Sequence, residues 1–292
     1  DSILSTLVIV GFAARAGLKG QVSFFSPKLW WHPSARADYR LYLINALLFP
    51  LLLSPLLFKD AQVSALMSAL LGVDRSSPST SNENVFLLRM LFTLLFFVAY
   101  DLGRFIAHSL LHDMPALWEF HKLHHSAAVL TPMTAYRAHP VELMVMAWIP
   151  AMLTGVTTWL FNRAGAQVDF FSFLGLHAVI WAFNLIDNLR HSPIWVPYGP
   201  MIGKWMISPA HHQLHHSYEP QHLGCNRGAN LAIWDRMYGT LFVPGRKPEQ
   251  FRLGLGDDSE IHLTGILQMY GRPITRSIGV TSNMFARRRR KK

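Results

Sequence analysis

"VFLLRMLFTLLFFVAYDLGRFIAHSLLHDMPALWEFHKLHHS", residues 85–126, changes character halfway along. Its first half is an apolar run long enough to cross a bilayer as a helix, for which about 20 residues suffice. Its second half carries five histidines: His108, His112, His121, His124 and His125. His108 and His112 are four apart, so on a helix they share a face one turn apart. Positions one, four and five of "HKLHH" share a face for the same reason, and "HQLHH" repeats that pattern at 212–216. A chain built this way brings many imidazoles to the end of a membrane helix.

Composition supports a membrane protein. Apolar residues make up 51% of the 292 and charged residues 15%, against about 25% charged in an ordinary soluble domain. Three more apolar runs, 41–58, 141–161 and 168–186, approach spanning length. Trp and Tyr lie near the ends of the runs, as at membrane interfaces. Pro50 and Pro55 predict a kink in the 41–58 run. "ILSTLVIVGFAA", 3–14, is too short to span and lacks the basic start of a signal peptide. The net charge of +10 draws six charges from "RRRRKK" at 287–292, and no basic stripe interleaved with aromatics occurs elsewhere, which argues against nucleic acid as a partner. The lone Cys225 excludes an internal disulfide framework.

Charge asymmetry orients the runs. Arg15, Lys19, Lys28, Arg36 and Arg40 precede the first, whereas 59–84 holds only Lys59 and Arg75, and 162–167 only Arg163. By the positive-inside rule both termini, 108–140 and everything after 187 face the cytoplasm, with 59–84 and 162–167 opposite. The terminal basic run then suits an anionic inner leaflet. The predicted fold is an all-α integral membrane bundle of about four transmembrane helices with a cytoplasmic, histidine-rich helical cap. Its divisions are an N-terminal membrane region (1–84), a histidine-rich catalytic region (85–245) and a C-terminal cytoplasmic tail (246–292).

This orientation, derived without any histidine, places ten on one side of the membrane: His108, His112, His121, His124, His125, His139, His191, His212, His215 and His216. Imidazole suits iron, zinc or copper. Ten exceed the four ligands of one structural zinc site, and two ions with open positions account for the number. Candidate supporting residues are Asp101, Arg104, Glu142, Asn184, Asp187 and Asn188. Asp101 and Arg104 continue the His108 face, and Asn184, Asp187 and Asn188 share a face with His191. His177, 14 residues before His191 and so about 21 Å away along a helix, is too distant for the same centre. It either lines a substrate path or hydrogen-bonds inside the bundle. His32, His222 and His262 read as ordinary polar residues. Phe170, Phe171 and Phe173 read as core or lipid-facing.

These segments, with "TAYRAHPVE", "NLRHSPIW", "SPAHHQLHHS" and "NRGANLAIWDRMYGTLFVP", resemble the fatty acid hydroxylase and sterol desaturase superfamily over about 85–245. The resemblance implies that the ten histidines hold a di-iron centre. His211 precedes the last box and stands outside the pattern. Four residues before His191, where some relatives carry a further histidine, this chain has Asp187. The implied reaction uses dioxygen and two external electrons to hydroxylate a C–H bond of a membrane lipid (fatty acyl, sphingolipid or sterol-like). Desaturation or sterol methyl oxidation is the alternative within the superfamily. The sequence lacks a Gly-rich dinucleotide fingerprint, so a ferredoxin, a cytochrome b5-like protein or a reductase is the expected electron donor. Zinc is expected to replace iron in some purified samples, since imidazole binds both. A histidine-rich metal transporter is the third reading. It fits less well, because its ligands would lie near the bilayer midplane.

Overall fold

The computed structural model describes residues 23–71, 85–164, 169–173, 176–257 and 265–289; the side chains of Phe49, Phe173, Leu176, Asp187 and 285–289 lie outside that description. The apolar segment 3–14 and His262 are also outside the described residues. Helix α1, Pro33–Leu48, is interrupted where Pro50 and Pro55 remove amide donors. A π-turn at Phe49–Leu53 and a 3₁₀ turn at Ser54–Leu56 follow, and then helix α2, Asp60–Leu71. Residues 60–71 fall between two apolar runs, in the segment expected opposite the cytoplasm. They form a helix because "DAQVSALMSALL" is rich in strong helix formers with an aspartate in the first turn.

Helix α3, Val85–Asp113, is followed directly by α4, Pro115–His125, with Pro115 in the first turn where a missing amide costs nothing. Helix α5 spans Pro140–Arg163. At 1.5 Å per residue, the 29 residues of α3 and 24 of α5 reach about 44 and 36 Å, beyond the roughly 30 Å hydrocarbon core. Among the described residues, three stretches are long and apolar enough to cross a membrane: 33–71, α3 and α5.

The fourth apolar run departs from expectation. It forms a hairpin of two short strands, β1 (Ser172–Phe173) and β2 (Leu176–His177), and a ten-residue helix α6, Ala178–Asp187. Phenylalanines favour strand geometry in its first part. The His177 side chain then accepts from the Ile180 amide and starts the helix late. At about 15 Å, α6 alone is too short to span, but with the hairpin it returns the chain from Phe170, beside Arg89 and Phe92, to His191 beside His124. Phe170 packs on Phe92 and Phe96, and the Arg89 guanidinium lies over Phe171, so these rings serve the core.

Helices α3 and α5 make the most extensive contact in the fold. They meet at Gly103 and Pro150, where a Cβ on Gly103 would lie 2.5 Å from the Pro150 Cα. Helix α2 crosses α5 equally closely at Gly155, with Val63 at 2.5 Å. The large exposed side chains on α3 (Phe86, Leu87, Met90, Leu91, Leu94, Leu95 and Val98) stop at Val98, one turn before buried Asp101. Beyond that level α3 is wrapped by a cap containing α4, α7 (Pro209–His215) and α8 (Ile233–Tyr238). The segment after 246, expected as a C-terminal tail, carries a long helix. Its helix α9, Ile266–Arg289, packs on α4, with Met269 buried beside Leu123, Leu41 and Ala37.

Replacing Gly103 with Val should force α3 away from the Pro150 backbone, which cannot yield as a flexible side chain would. Overpacking of this kind costs about 1–3 kcal/mol. Thermal unfolding in detergent should show a lowered midpoint together with reduced metal content. An unchanged midpoint would contradict this close crossing.

Candidate metal centre

Nine of the ten expected histidines converge. His108, His112, His121, His125 and His215 form one group, and His124, His191, His212 and His216 form a second; within each group the ligand atoms lie within 4.8 Å of one another. Helix α3 supplies His108 and His112, α4 supplies His121, His124 and His125, and a 3₁₀ turn ending α6 supplies His191. Helix α7 and its C-cap supply the rest. "HKLHH" divides between the groups: His121 and His125 face one, His124 the other. "HQLHH" divides likewise, with His215 in the first group and His212 and His216 in the second.

The ring nitrogens show why these groups could hold a cation. His108 Nδ1 donates to the Arg227 carbonyl at 2.7 Å, and His215 Nδ1 to the Cys225 carbonyl at 2.6 Å. A neutral imidazole has one N–H, so both Nε2 atoms present lone pairs. Those atoms nevertheless sit 3.1 Å apart. His121 Nδ1 donates to Glu142 Oε1 at 2.9 Å, leaving its Nε2 as a third lone pair 3.0 Å from that of His108. His125 Nε2 is buried with no partner among the described residues. In the second group His124 Nδ1 donates to the Arg137 carbonyl at 3.2 Å, and the four Nε2 atoms are linked at 2.9–3.3 Å.

Protons do not relieve this repulsion. Burial lowers the pKa of His121 and His215 to about 3 and of His124 to about 4, so all three stay neutral near pH 7. A metal ion with nitrogens at about 2.1 Å accounts for ring nitrogens some 3 Å apart. The donor set, five neutral imidazoles beside four, suits iron, zinc or copper.

The outward hydrogen bonds have their own supports. Asp101 accepts from the Asn230 backbone and side-chain amides, the Leu231 amide and the Trp234 indole, all at 2.9–3.0 Å. It touches no histidine but pins the loop that carries the Arg227 carbonyl. Asp235 accepts from the Arg227 and Gly228 amides at 2.7 Å and fixes the other end of that loop. Arg137, buried, pairs with Asp38 at 2.8 Å and donates to the Leu123 carbonyl and Ser126, locking the turn whose carbonyl holds His124. Arg227, Asp235, Arg137 and Asp38 were not singled out in the sequence. For Arg227, Asp235 and Arg137 the only signal was their place in "NRGANLAIWDRMYGT" and "TAYRAHPVE", and Asp38 lies in neither stretch.

Other expected residues fall elsewhere. His139 joins neither group. It caps α5, its Nδ1 accepting from the Val141 amide and its Nε2 donating to the Tyr270 carbonyl, so both ring nitrogens are used by backbone. His177 Nε2 binds the Thr93 carbonyl at 3.0 Å, deep in the bundle. Arg104 lies close enough to Glu142 to interact electrostatically. Asn184 is exposed on α6 and Asn188 is half-buried, with neither in a histidine group; the Asp187 side chain is outside the described residues. His211 is buried between Ser208 and the Gly203 carbonyl, as a structural residue.

The chain is thus a helical membrane protein with two adjacent all-imidazole groups. It belongs to the fatty acid hydroxylase family, whose profile matches residues 93–240, half of the chain. It is similar to the ornithine lipid hydroxylase OlsE of Rhizobium tropici (30% identical over 161 residues, 54% of this chain and 44% of that one). It also resembles the alkylglycerol monooxygenase of Xenopus tropicalis (29% over 153 residues, 52% and 30%) and a Delta(7)-sterol 5(6)-desaturase of Gibberella zeae (29% over 153, 52% and 42%). The match thus spans less than half the length of each of these relatives. No solved structure matches.

Two outcomes follow from this geometry. Replacing Glu142 with Ala should weaken metal affinity at the five-imidazole group by roughly 10–100-fold, with Gln recovering part, as chelator competition would measure. Unchanged affinity in the Ala variant would contradict the orienting role of Glu142. The second concerns pH. The unfolded chain takes up protons near pH 6.5, whereas His121, His124 and His215 stay neutral until about pH 3–4. Protons therefore favour the unfolded state, and metal-free protein should lose stability as pH falls below about 6.5. Unfolding midpoints between pH 8 and 5 check this sign.

Proposed function

We propose that the chain is the catalytic part of an O2-dependent di-iron oxidoreductase that hydroxylates a C–H bond of a membrane lipid. The observation that carries this reading is the convergence of nine imidazoles, eight of them buried and His112 partly so, in two adjacent groups. When bound, two irons there supply the oxidising power: with dioxygen, two electrons and two protons, a C–H bond becomes C–OH and the second oxygen leaves as water. The protein's own part is positional. The Arg227, Cys225 and Arg137 carbonyls and Glu142 hold four rings in one tautomer, and the cap buries them against water. A preorganised, dry site of fixed donors is what the polypeptide contributes to such chemistry. The electrons come from a donor protein of the ferredoxin or cytochrome b5-like kind, or from a reductase.

Desaturation is the second reading, favoured by the similarity to a sterol desaturase. Both reactions begin by removing one hydrogen atom. Expression with an electron donor under oxygen-18 gas, followed by mass analysis of total lipids, separates them. Hydroxylation predicts a product carrying one heavy oxygen, abolished by His124→Ala or His215→Ala together with metal. An unlabelled product lacking two hydrogens would leave desaturation in its place.

We further propose that the metal groups and both termini face the cytoplasm, supported by the Lys and Arg asymmetry. A cysteine placed at Ser79 should react with an impermeant maleimide added to intact cells, and one at Lys292 should react only after lysis. The reverse pattern would invert the topology.

A further inference from the structure

Helix α9, Ile266–Arg289, is longer than what supports it. Its 24 residues reach about 36 Å, whereas α4, on which it packs, has 11 residues and reaches about 16 Å. Met269 and Pro273 are buried, but from Ile274 to Met284 no side chain is buried. A helix that overhangs its support in this way owes its stability largely to whatever covers its apolar face. Such a face is present. Leu267, Ile274 and Ile278, spaced seven and four apart, form one stripe, with Leu267 88% and Ile278 62% exposed.

The helix divides into three faces. At about 100° per residue, Met269 and Pro273 point into the cap, the stripe of Leu267, Ile274 and Ile278 lies roughly 140° from them, and Gln268, Arg272, Thr275 and Arg276 fill the remaining arc. No acid occurs between 266 and 289, and neither Arg272 nor Arg276 forms an ion pair among the described residues. An apolar stripe backed by a basic polar face is the pattern of a helix that lies in a membrane surface.

The contacts of α9 fix which way the stripe looks. On α1, Ala37 and Leu41 are buried in the cap, and Leu43 and Leu47 beyond them are exposed, so α1 runs toward the bilayer as residue number rises. Met269 packs on Ala37 and Leu41, while the Tyr270 hydroxyl donates to Asn45 Oδ1 at 2.8 Å, one turn further along α1. Passing round α9 from Met269 to Tyr270 therefore leads toward the bilayer, and the stripe lies next beyond Tyr270 in that sense. It continues the lipid-facing side of α1.

We propose that α9 lies in the membrane surface on the cap side, with Leu267, Ile274 and Ile278 among lipid chains and Arg272 and Arg276 among anionic headgroups. Its partner is a negatively charged bilayer. Six further basic residues occupy 287–292 and add to the same attraction. The proposal does not depend on which reaction the metal centre performs.

A fluorophore on a single thiol tests it in the full chain. Ile278→Cys and, on the polar arc, Thr275→Cys each supply the one accessible thiol, since Cys225 is buried and is the chain's only cysteine. Both positions are exposed, and metal content with the unfolding midpoint reports that the variants fold. In nanodiscs holding one chain, a lipid spin-labelled near its headgroup should quench the label strongly at 278 and weakly at 275. Quenching at 278 should rise when phosphatidylserine is added to phosphatidylcholine. Arg272→Gln with Arg276→Gln should lower the docked-to-undocked ratio by roughly fivefold per charge and remove that rise. Equal quenching at the two positions, none at 278, or quenching at 278 that ignores phosphatidylserine would overturn the proposal. A stripe reserved for a second copy or for a protein partner would give the unquenched result.

Discussion

Lone pairs that face one another across about 3 Å are the constraint on which this structure turns. Three imidazoles give their only N–H outward, two to backbone carbonyls and one to a buried carboxylate, and so aim bare nitrogens at a common point. Without a cation the arrangement is repulsive, and burial prevents protons from supplying one. Much of the cap can be understood as the means of holding those outward acceptors still. Asp101 and Asp235 grip the loop that presents the Arg227 carbonyl, and the Asp38–Arg137 pair grips the turn that presents the Arg137 carbonyl. Buried ion pairs add little net stability of their own, since desolvation offsets their attraction. Their value here is geometric.

The membrane helices provide the base for that geometry. Two ligands stand at the end of α3, and α3 can approach α5 closely because Gly103 leaves room for the Pro150 backbone. Glu142 near the start of α5 is thereby brought under His121. Packing within the bilayer and ligand orientation in the cap are one problem, solved by one crossing. Small residues at helix contacts are the usual way membrane helices achieve such approach.

The histidine constellation could be read from the sequence because helical spacing places its members on shared faces. The division of "HKLHH" and "HQLHH" between two groups could not, since residues three and four apart differ by only part of a turn. His139 shows a second limit. It lies in the right region and next to a proline, yet its ring closes the N-terminus of α5, a role that depends on local backbone directions. The run at 168–186 shows a third: hydropathy measured its length but not its start signal at His177. The residues that hold the acceptor carbonyls were the hardest to foresee, because a carbonyl acts through the backbone and leaves no side-chain signature. Their guides, Asp101 and Glu142, were visible as acids near the histidines, although Asp101 proves to serve the loop and not a ring.

The most direct test of the account is X-ray absorption at the iron edge of protein purified with its native metal, combined with metal counting. Two metals per chain, each in a shell of nitrogen at about 2.0–2.2 Å with the outer scattering of imidazole rings, is the predicted result. Fewer than one metal per chain, or a shell dominated by sulfur or carboxylate oxygen, would contradict the paired imidazole centre.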